Sequence, residues 1–102
     1  MQKDEILNYL KLFKNSSQNK LFKEIGLFGS YAKNQADMFS DIDIVVKVDN
    51  SYLKQHDIWD YFDAINEIKM AILKRFNLKS DVFDLESSSH LLEKIKKDII
   101  YV

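Results

Sequence analysis

Gly26-Leu27-Phe28-Gly29-Ser30-Tyr31-Ala32-Lys33-Asn34, then Ser40-Asp41-Ile42-Asp43-Ile44-Val45-Val46-Lys47-Val48, is the stretch that decides the fold. The only two glycines of the 102 residues, Gly26 and Gly29, both fall in it. Gly29 is followed by a serine and by a short segment that reads as a helix start. The second half reads as a strand, whose side chains alternate between two faces. Ile42, Ile44, Val46 and Val48 therefore share one face, while Asp41 and Asp43 share the other. Two residues of strand rise place the aspartate Cα atoms roughly 6.5–7 Å apart and pointing the same way. That spacing brackets a pair of hard cations about 3.5–4 Å apart.

A Gly-Ser turn lets backbone approach a ligand closely, because glycine has no Cβ. With Ser30 opening a helix, its hydroxyl and the free N–H groups of the first turn make an anion site. A triphosphate held there needs its charge neutralised, and the carboxylate oxygens of Asp41 and Asp43 suit Mg²⁺. The two halves thus make complementary demands on one ligand, phosphate on the turn and metal on the strand.

Gly29-Ser30-x-Ala32-Lys33, a spacer and Ser40-Asp41-Ile42-Asp43 in a hydrophobic strand resemble the nucleotidyltransferase signature of the DNA polymerase β superfamily. The small size narrows the resemblance to the minimal nucleotidyltransferases encoded as antitoxins beside HEPN-domain toxins. Lys79-Ser80-Asp81-Val82-Phe83-Asp84-Leu85 and the end Ile95-Lys96-Lys97-Asp98-Ile99-Ile100-Tyr101-Val102 are also similar to theirs. The resemblance implies a small α/β fold, a mixed sheet backed by helices. It implies two Mg²⁺ ions held by Asp41, Asp43 and Asp81, and ATP as substrate, contacted by Gly29, Ser30, Lys33 and Ser40. Asp81 would ligate the catalytic metal and help deprotonate the acceptor hydroxyl, which by resemblance is a tyrosine of a HEPN toxin. Three positions depart from the pattern. Lys33 stands where arginine is common, Asn34 where a second glycine is often found, and Ser80 where an apolar residue is expected. Asn tolerates left-handed backbone better than most residues, so the turn can survive at Asn34.

Composition sets the outer bounds. One domain, 1–102, is expected from the length. Hydrophobic content of 46% with 13% aromatics argues for a folded chain. A net charge of −1 gives no electrostatic case for stable nucleic-acid binding. The absence of cysteine rules out a disulfide framework and a thiolate metal site. With no signal-peptide pattern and no long apolar run, a cytoplasmic location without membrane partners is expected.

Taken in order, residues 3–14 carry Ile6, Leu7, Leu10 and Phe13 at helical spacing. A polar break at 15–19 precedes a first strand over 21–28. One or two helical turns over 30–36 and a loop over 37–40 lead to a second strand, 41–48, ended by Asp49-Asn50-Ser51. Ile58, Phe62, Ile65, Ile68, Ile72, Leu73 and Phe76 predict a helix of about five turns stopping at Asn77. Trp59 and the other aromatics of this helix are read as core, with a partner surface as the alternative. A third strand over 79–85 puts Asp81, Phe83 and Leu85 on one face, and Ser87-Ser88-Ser89 would cap a last helix carrying Leu91, Leu92, Ile95 and Ile99. The segment 99–102 either packs on the core or presents a partner surface.

Each motif has a plainer explanation. Gly29-Ser30 alone is a tight turn, Asp41 and Asp43 alone the solvent face of an edge strand, and Lys33 an ordinary solvated lysine. Val45 argues against the second, because it continues the aspartate face with an apolar side chain. Asp84 reads as structural, and His56 and His90 as surface residues. With Asp41 as the first position of such a loop, the fifth is Val45 with no glycine following, which excludes an EF-hand, and no Walker A loop is present. Two other functions compete with AMP transfer to a toxin: an antitoxin that neutralises by contact alone, and an enzyme modifying a small molecule such as an aminoglycoside.

Overall fold

A computed structural model describes residues 2–16, 21–86 and 93–102. In chain order it has α1 (Gln2–Ser16), β1 (Phe22–Phe28), α2 (Gly29–Ala32), β2 (Ile42–Val48), α3 (Asn50–Leu53), α4 (Ile58–Phe76), β3 (Ser80–Asp84) and β4 (Ile100–Tyr101). A helical turn at 93–95 runs into a 3-10 turn, Lys96–Asp98, just before β4. The sheet is mixed, in the order β3-β2-β1-β4, with β2 antiparallel to β1 and parallel to β3.

The parallel β2–β3 pair requires a crossover, and α3 and α4 supply it. Asp49 starts α3, its side chain accepting from the Ser51 and Tyr52 backbone N–H groups. Asp57 caps α4 in the same way, accepting from Trp59 and Asp60. Asn77 ends α4 in the left-handed conformation, φ 56°, and its N–H donates to the Leu73 carbonyl over 2.8 Å.

Strand alternation divides the interior. Ile25, Leu27, Ile42, Ile44 and Val46 point to one face, where they pack with Ile6 and Leu10 of α1 and Ile68 and Ile72 of α4. Burying such a side chain fully contributes about 1.5–3 kcal/mol. Phe28 and Val45 point to the other face, where Phe83, Leu85, Ile95 and Ile99 cover them. Val45 is fully buried while Asp43 is half-buried, so the aspartate face of β2 is covered over Val45 and opens to solvent beside the aspartates.

The structure corrects several boundaries and one assignment. The helix after Gly29 is a single turn, 29–32, starting at Gly29 itself. Asp41 lies just before β2. Within the segment 99–102, Ile100–Tyr101 forms edge strand β4 beside β1, with Gly26 opposite Tyr101, and α3 had no clear forecast in the sequence. Asn15 and Ser16 continue α1, while 17–19 and the caps Ser87-Ser88-Ser89, with His90, Leu91 and Leu92, lie outside the described residues. The buried stripe of α4 is Ala64, Ile68 and Ile72, so Trp59, Phe62 and Ile58 are surface rather than core. Period alone could not tell which of two apolar stripes faces the sheet.

Ser80 carries a structural cost. Its hydroxyl is buried on the core-facing side of β3 without a hydrogen-bond partner among the described residues. Ser80→Ala is therefore expected to raise stability by about 1 kcal/mol, a Tm gain of about 4–8 °C. A thermal melt showing an unchanged or lower Tm would mean the hydroxyl is satisfied in solution.

Candidate active site

β1 delivers the chain to Gly29, and the register of β1 with β2 sets Phe28 opposite Asp43. The parallel register of β2 with β3 sets Asp43 opposite Asp81. Neighbouring strands are about 4.8 Å apart, so these two carboxylates stand side by side on one sheet face. Asp41 enters from the residue before the strand. Burial raises the Asp43 pKa, and the like charges of Asp81 and then Asp41 raise it further. The three predicted acids therefore share one electrostatic neighbourhood. Among the described residues, however, no three His, Cys, Asp or Glu side chains are gathered as a ready metal cage.

Gly29 adopts φ +75°, the left-handed region that favours glycine. A Cβ built there would collide with the Asp43 carboxylate, lying 3.1 Å from its Cγ. Its lack of a side chain thus makes room for a carboxylate of the site itself. Gly26 has a different reason: a Cβ there would lie 2.7 Å from Ile99 Cγ2 and 3.2 Å from Tyr101 Cδ1, so Gly26 admits the C-terminal segment. That glycine belongs to the packing of β4 and takes no part in ligand approach.

Among the described residues no side chain caps α2, whose N-cap is Phe28. The first-turn N–H groups are thus left without the usual side-chain acceptor. Ser30 is the second residue of the turn and half-buried. Its carbonyl accepts from Gln35 N over 2.8 Å, and Asn34 takes φ 57°, the left-handed conformation foreseen for it. Tyr31, buried beneath the turn, has its hydroxyl pKa raised by burial and then by the nearby Asp37 and Asp41 charges.

Two predicted nucleotide contacts are engaged within the protein. Lys33 Nζ lies 3.4 Å from Asp98 Oδ2, an ion pair with both side chains nearly half exposed. Ser40 Oγ donates to Asp37 Oδ1 at 3.2 Å and accepts from Asp37 N at 3.0 Å. Phe39 N also donates to Asp37 Oδ1, at 2.9 Å, and Ser40 N to the Asp37 carbonyl, at 3.1 Å. The four residues before Asp41 are thereby pinned in a tight turn that presents Met38 and Phe39 at 84% and 86% exposure. The loop expected over 37–40 is present, and what the sequence left unsaid is its hydrogen bonding through Asp37. The sequence had no signal for Asp98 as the partner of Lys33. Asp84 is structural as expected: its Oδ2 accepts from the Tyr61 hydroxyl at 2.9 Å, and its Oδ1 from Glu86 N at 2.8 Å. Burial, then this bond to Asp84, pushes the Tyr61 hydroxyl up to about 12.

Residues 10–102 match the family described as "Polymerase beta, Nucleotidyltransferase". A Methanocaldococcus jannaschii protein assigned as a protein adenylyltransferase is 30% identical over 102 residues, spanning 98% of this chain and 93% of that one. The protein adenylyltransferase MntA of Thermococcus cleftensis is 26% identical over 102 residues, spanning 97% and 94%. Among solved structures, a mutant of the toxin–antitoxin MntA-HpeT superposes with TM-score 0.58 at 22% identity, over 99% of this chain and 71% of that one. A toxin–antitoxin with AMP-PNP superposes with TM-score 0.53 at 26% identity, over 90% and 64%.

Proposed function

Because the chain belongs to the polymerase beta nucleotidyltransferase family, we propose that it is a Mg²⁺-dependent protein adenylyltransferase acting as an antitoxin. It moves AMP from ATP to a hydroxyl of a partner toxin, and a tyrosine of a HEPN-domain protein is the acceptor that the resemblance favours. The observation that carries this reading is the Asp43 carboxylate, set against Gly29 on one side and Asp81 on the other. It joins the phosphate-binding turn and the acidic strand into one site.

The residues fit a divalent cation. Burial first, and then the charges of Asp81 and Asp41, raise the Asp43 pKa; such carboxylates gain from a positive charge between them, and their oxygens are hard donors. Bound Mg²⁺ would offset charge developing on the phosphates. Asp41, Asp43 and Asp81 would hold it, while the first turn of α2 receives the phosphate tail. In the reaction the acceptor oxygen forms a bond to the α-phosphorus as the bond to pyrophosphate breaks. Asp81, exposed at the edge of the site, takes the acceptor's proton. Lys33 exchanges Asp98 for phosphate when ATP arrives. Met38 and Phe39, apolar and outward beside Asp41, suit a protein acceptor better than a small polar one.

Lys33→Ala is expected to raise the KM for ATP about tenfold and to move stability by less than about 0.5 kcal/mol, since exposed ion pairs contribute little. Steady-state kinetics beside a thermal melt check this; an unchanged KM would return Lys33 to the role of a surface lysine.

Neutralisation by contact alone is the second reading, favoured by solved relatives that are toxin–antitoxin complexes. Co-expression with the toxin separates the two. Asp41→Asn with Asp43→Asn should abolish rescue of growth if AMP transfer neutralises, and should preserve it if contact suffices.

A further inference from the structure

The outward face of α4 carries Ile58, Trp59, Phe62, Met70 and Leu73, exposed by 62, 69, 52, 56 and 41%. These residues recur at helical spacing on the side away from Ala64, Ile68 and Ile72, which are buried against the sheet. At one end, His56, Ile58, Tyr61 and Phe62 line a cavity of about 300 Å³. An apolar stripe of this length is not the scatter of single apolar residues normal on a surface.

Charge along the same helix is segregated. Residues 57–68 contain Asp57, Asp60, Asp63 and Glu67 and no base, whereas residues 69–76 contain Lys69, Lys74 and Arg75 and no acid. Acids at a helix start and bases at its end also suit the helix dipole, but that effect dies away within a turn of each end. It does not account for Asp63, Glu67 and Lys69 in the middle of α4.

We propose that this face is a two-fold interface with a second copy of the chain, the two α4 helices packing antiparallel. A two-fold axis near the helix centre lays the acidic, aromatic half of one copy on the basic, aliphatic half of the other. Trp59 and Phe62 then meet Met70 and Leu73, and the cavity beside Phe62 receives one of those side chains. A parallel pairing would instead set acid on acid and base on base, so charge selects the orientation. The carboxylates lie on the opposite sheet face from α4, so the site stays open in the pair. One helix face per copy is a small contact, and the association is concentration-dependent, on the order of micromolar.

Sedimentation velocity of the purified chain over a concentration series tests this. The wild type is expected to shift from monomer to dimer. Trp59→Ser with Leu73→Ser should weaken the dimer by at least about tenfold, with an unchanged circular dichroism melt at concentrations where the wild type is itself monomeric, because both side chains are exposed in the single chain. Reversing one block, Asp63→Lys with Glu67→Lys, should dissociate the dimer, and adding Lys69→Glu and Lys74→Glu in the same chain should restore it. A monomer at every concentration overturns the proposal, also where the same residues prove to bind a co-expressed toxin. A dimer unaffected by the α4 substitutions, or by the single-block reversal, overturns it equally.

Discussion

Asp43→Asn is expected to lower AMP transfer by on the order of 10³-fold and, at the same time, to make the unliganded protein more resistant to heat. The first effect follows from the position of Asp43, against Gly29 on one side and opposite Asp81 on the neighbouring strand. Loss of a charge that holds a catalytic cation costs several kcal/mol in the transition state, and about 1.4 kcal/mol corresponds to each tenfold in rate. The second effect has the opposite sign because the acid is uncomfortable without its ligand. Burial and the charges of Asp81 and Asp41 raise its pKa, so the folded chain holds this proton more tightly than the unfolded chain does. Stability therefore rises as pH falls through the raised pKa, and the gain is absent once Asp43 is ionised. Asparagine removes the repulsion and with it this part of the pH dependence. With Mg²⁺ present the order reverses: the cation stabilises the wild type above that pKa and loses its grip below it, whereas the variant responds weakly at every pH. Thermal melts with and without Mg²⁺ at several pH values check this, beside an assay of AMP transfer. A variant less stable than wild type without metal would contradict the electrostatic reading of the site.

Gly29→Ala should be damaging out of proportion to one methyl group. The residue sits at φ +75°, where a Cβ costs roughly 1–2 kcal/mol, and that Cβ would strike the Asp43 carboxylate. The carboxylate must swing away or the turn must open. Either change moves Asp43 by an ångström or more from its place beside Asp81, and displacement on that scale costs on the order of 10²-fold in rate. The expected outcome is a Tm lower by about 4–8 °C for each kcal/mol lost, with AMP transfer reduced by about 10²-fold. A double-mutant cycle with Asp43→Gly isolates the cause. If the collision dominates, alanine at 29 costs less stability once the carboxylate is gone. Additive losses would assign the whole cost to backbone strain. Gly26→Ala serves as a contrast, because its Cβ would meet Ile99 and Tyr101. It should loosen β4 and lower Tm without selectively impairing nucleotide binding.

Much of this was legible in the chain. Alternation over 42–48 placed the aspartates on the face opposite Ile42, Ile44 and Val46, and the apolar Val45 among them already signalled a covered face. Asn34 and Asn77 were read correctly as turn and helix stop, because asparagine tolerates the left-handed region that both adopt. Nucleotidyltransferase chemistry followed from the spacing of Gly29-Ser30 and Asp41-x-Asp43 together with the resemblance. What stayed hidden depends on tertiary partners. The resemblance grouped Asp81 with Asp41 and Asp43, but no local pattern gives the register that sets Asp43 opposite Asp81, since it forms across an intervening helix. Nor does one connect Lys33 to Asp98, or Gly26 to Ile99. The α4 aromatics misled because the helix carries two apolar stripes, and hydrophobicity does not say which one meets the sheet. The short strand β4 is set by its pairing with β1, which two residues cannot announce.

The most direct test of AMP transfer is intact mass spectrometry of a candidate partner toxin after incubation with this protein, ATP and Mg²⁺. The expected result is a partner heavier by one or more AMP units, with no gain when Asp41→Asn replaces the wild type. A partner of unchanged mass that still forms a stable complex would contradict AMP transfer and leave neutralisation by contact.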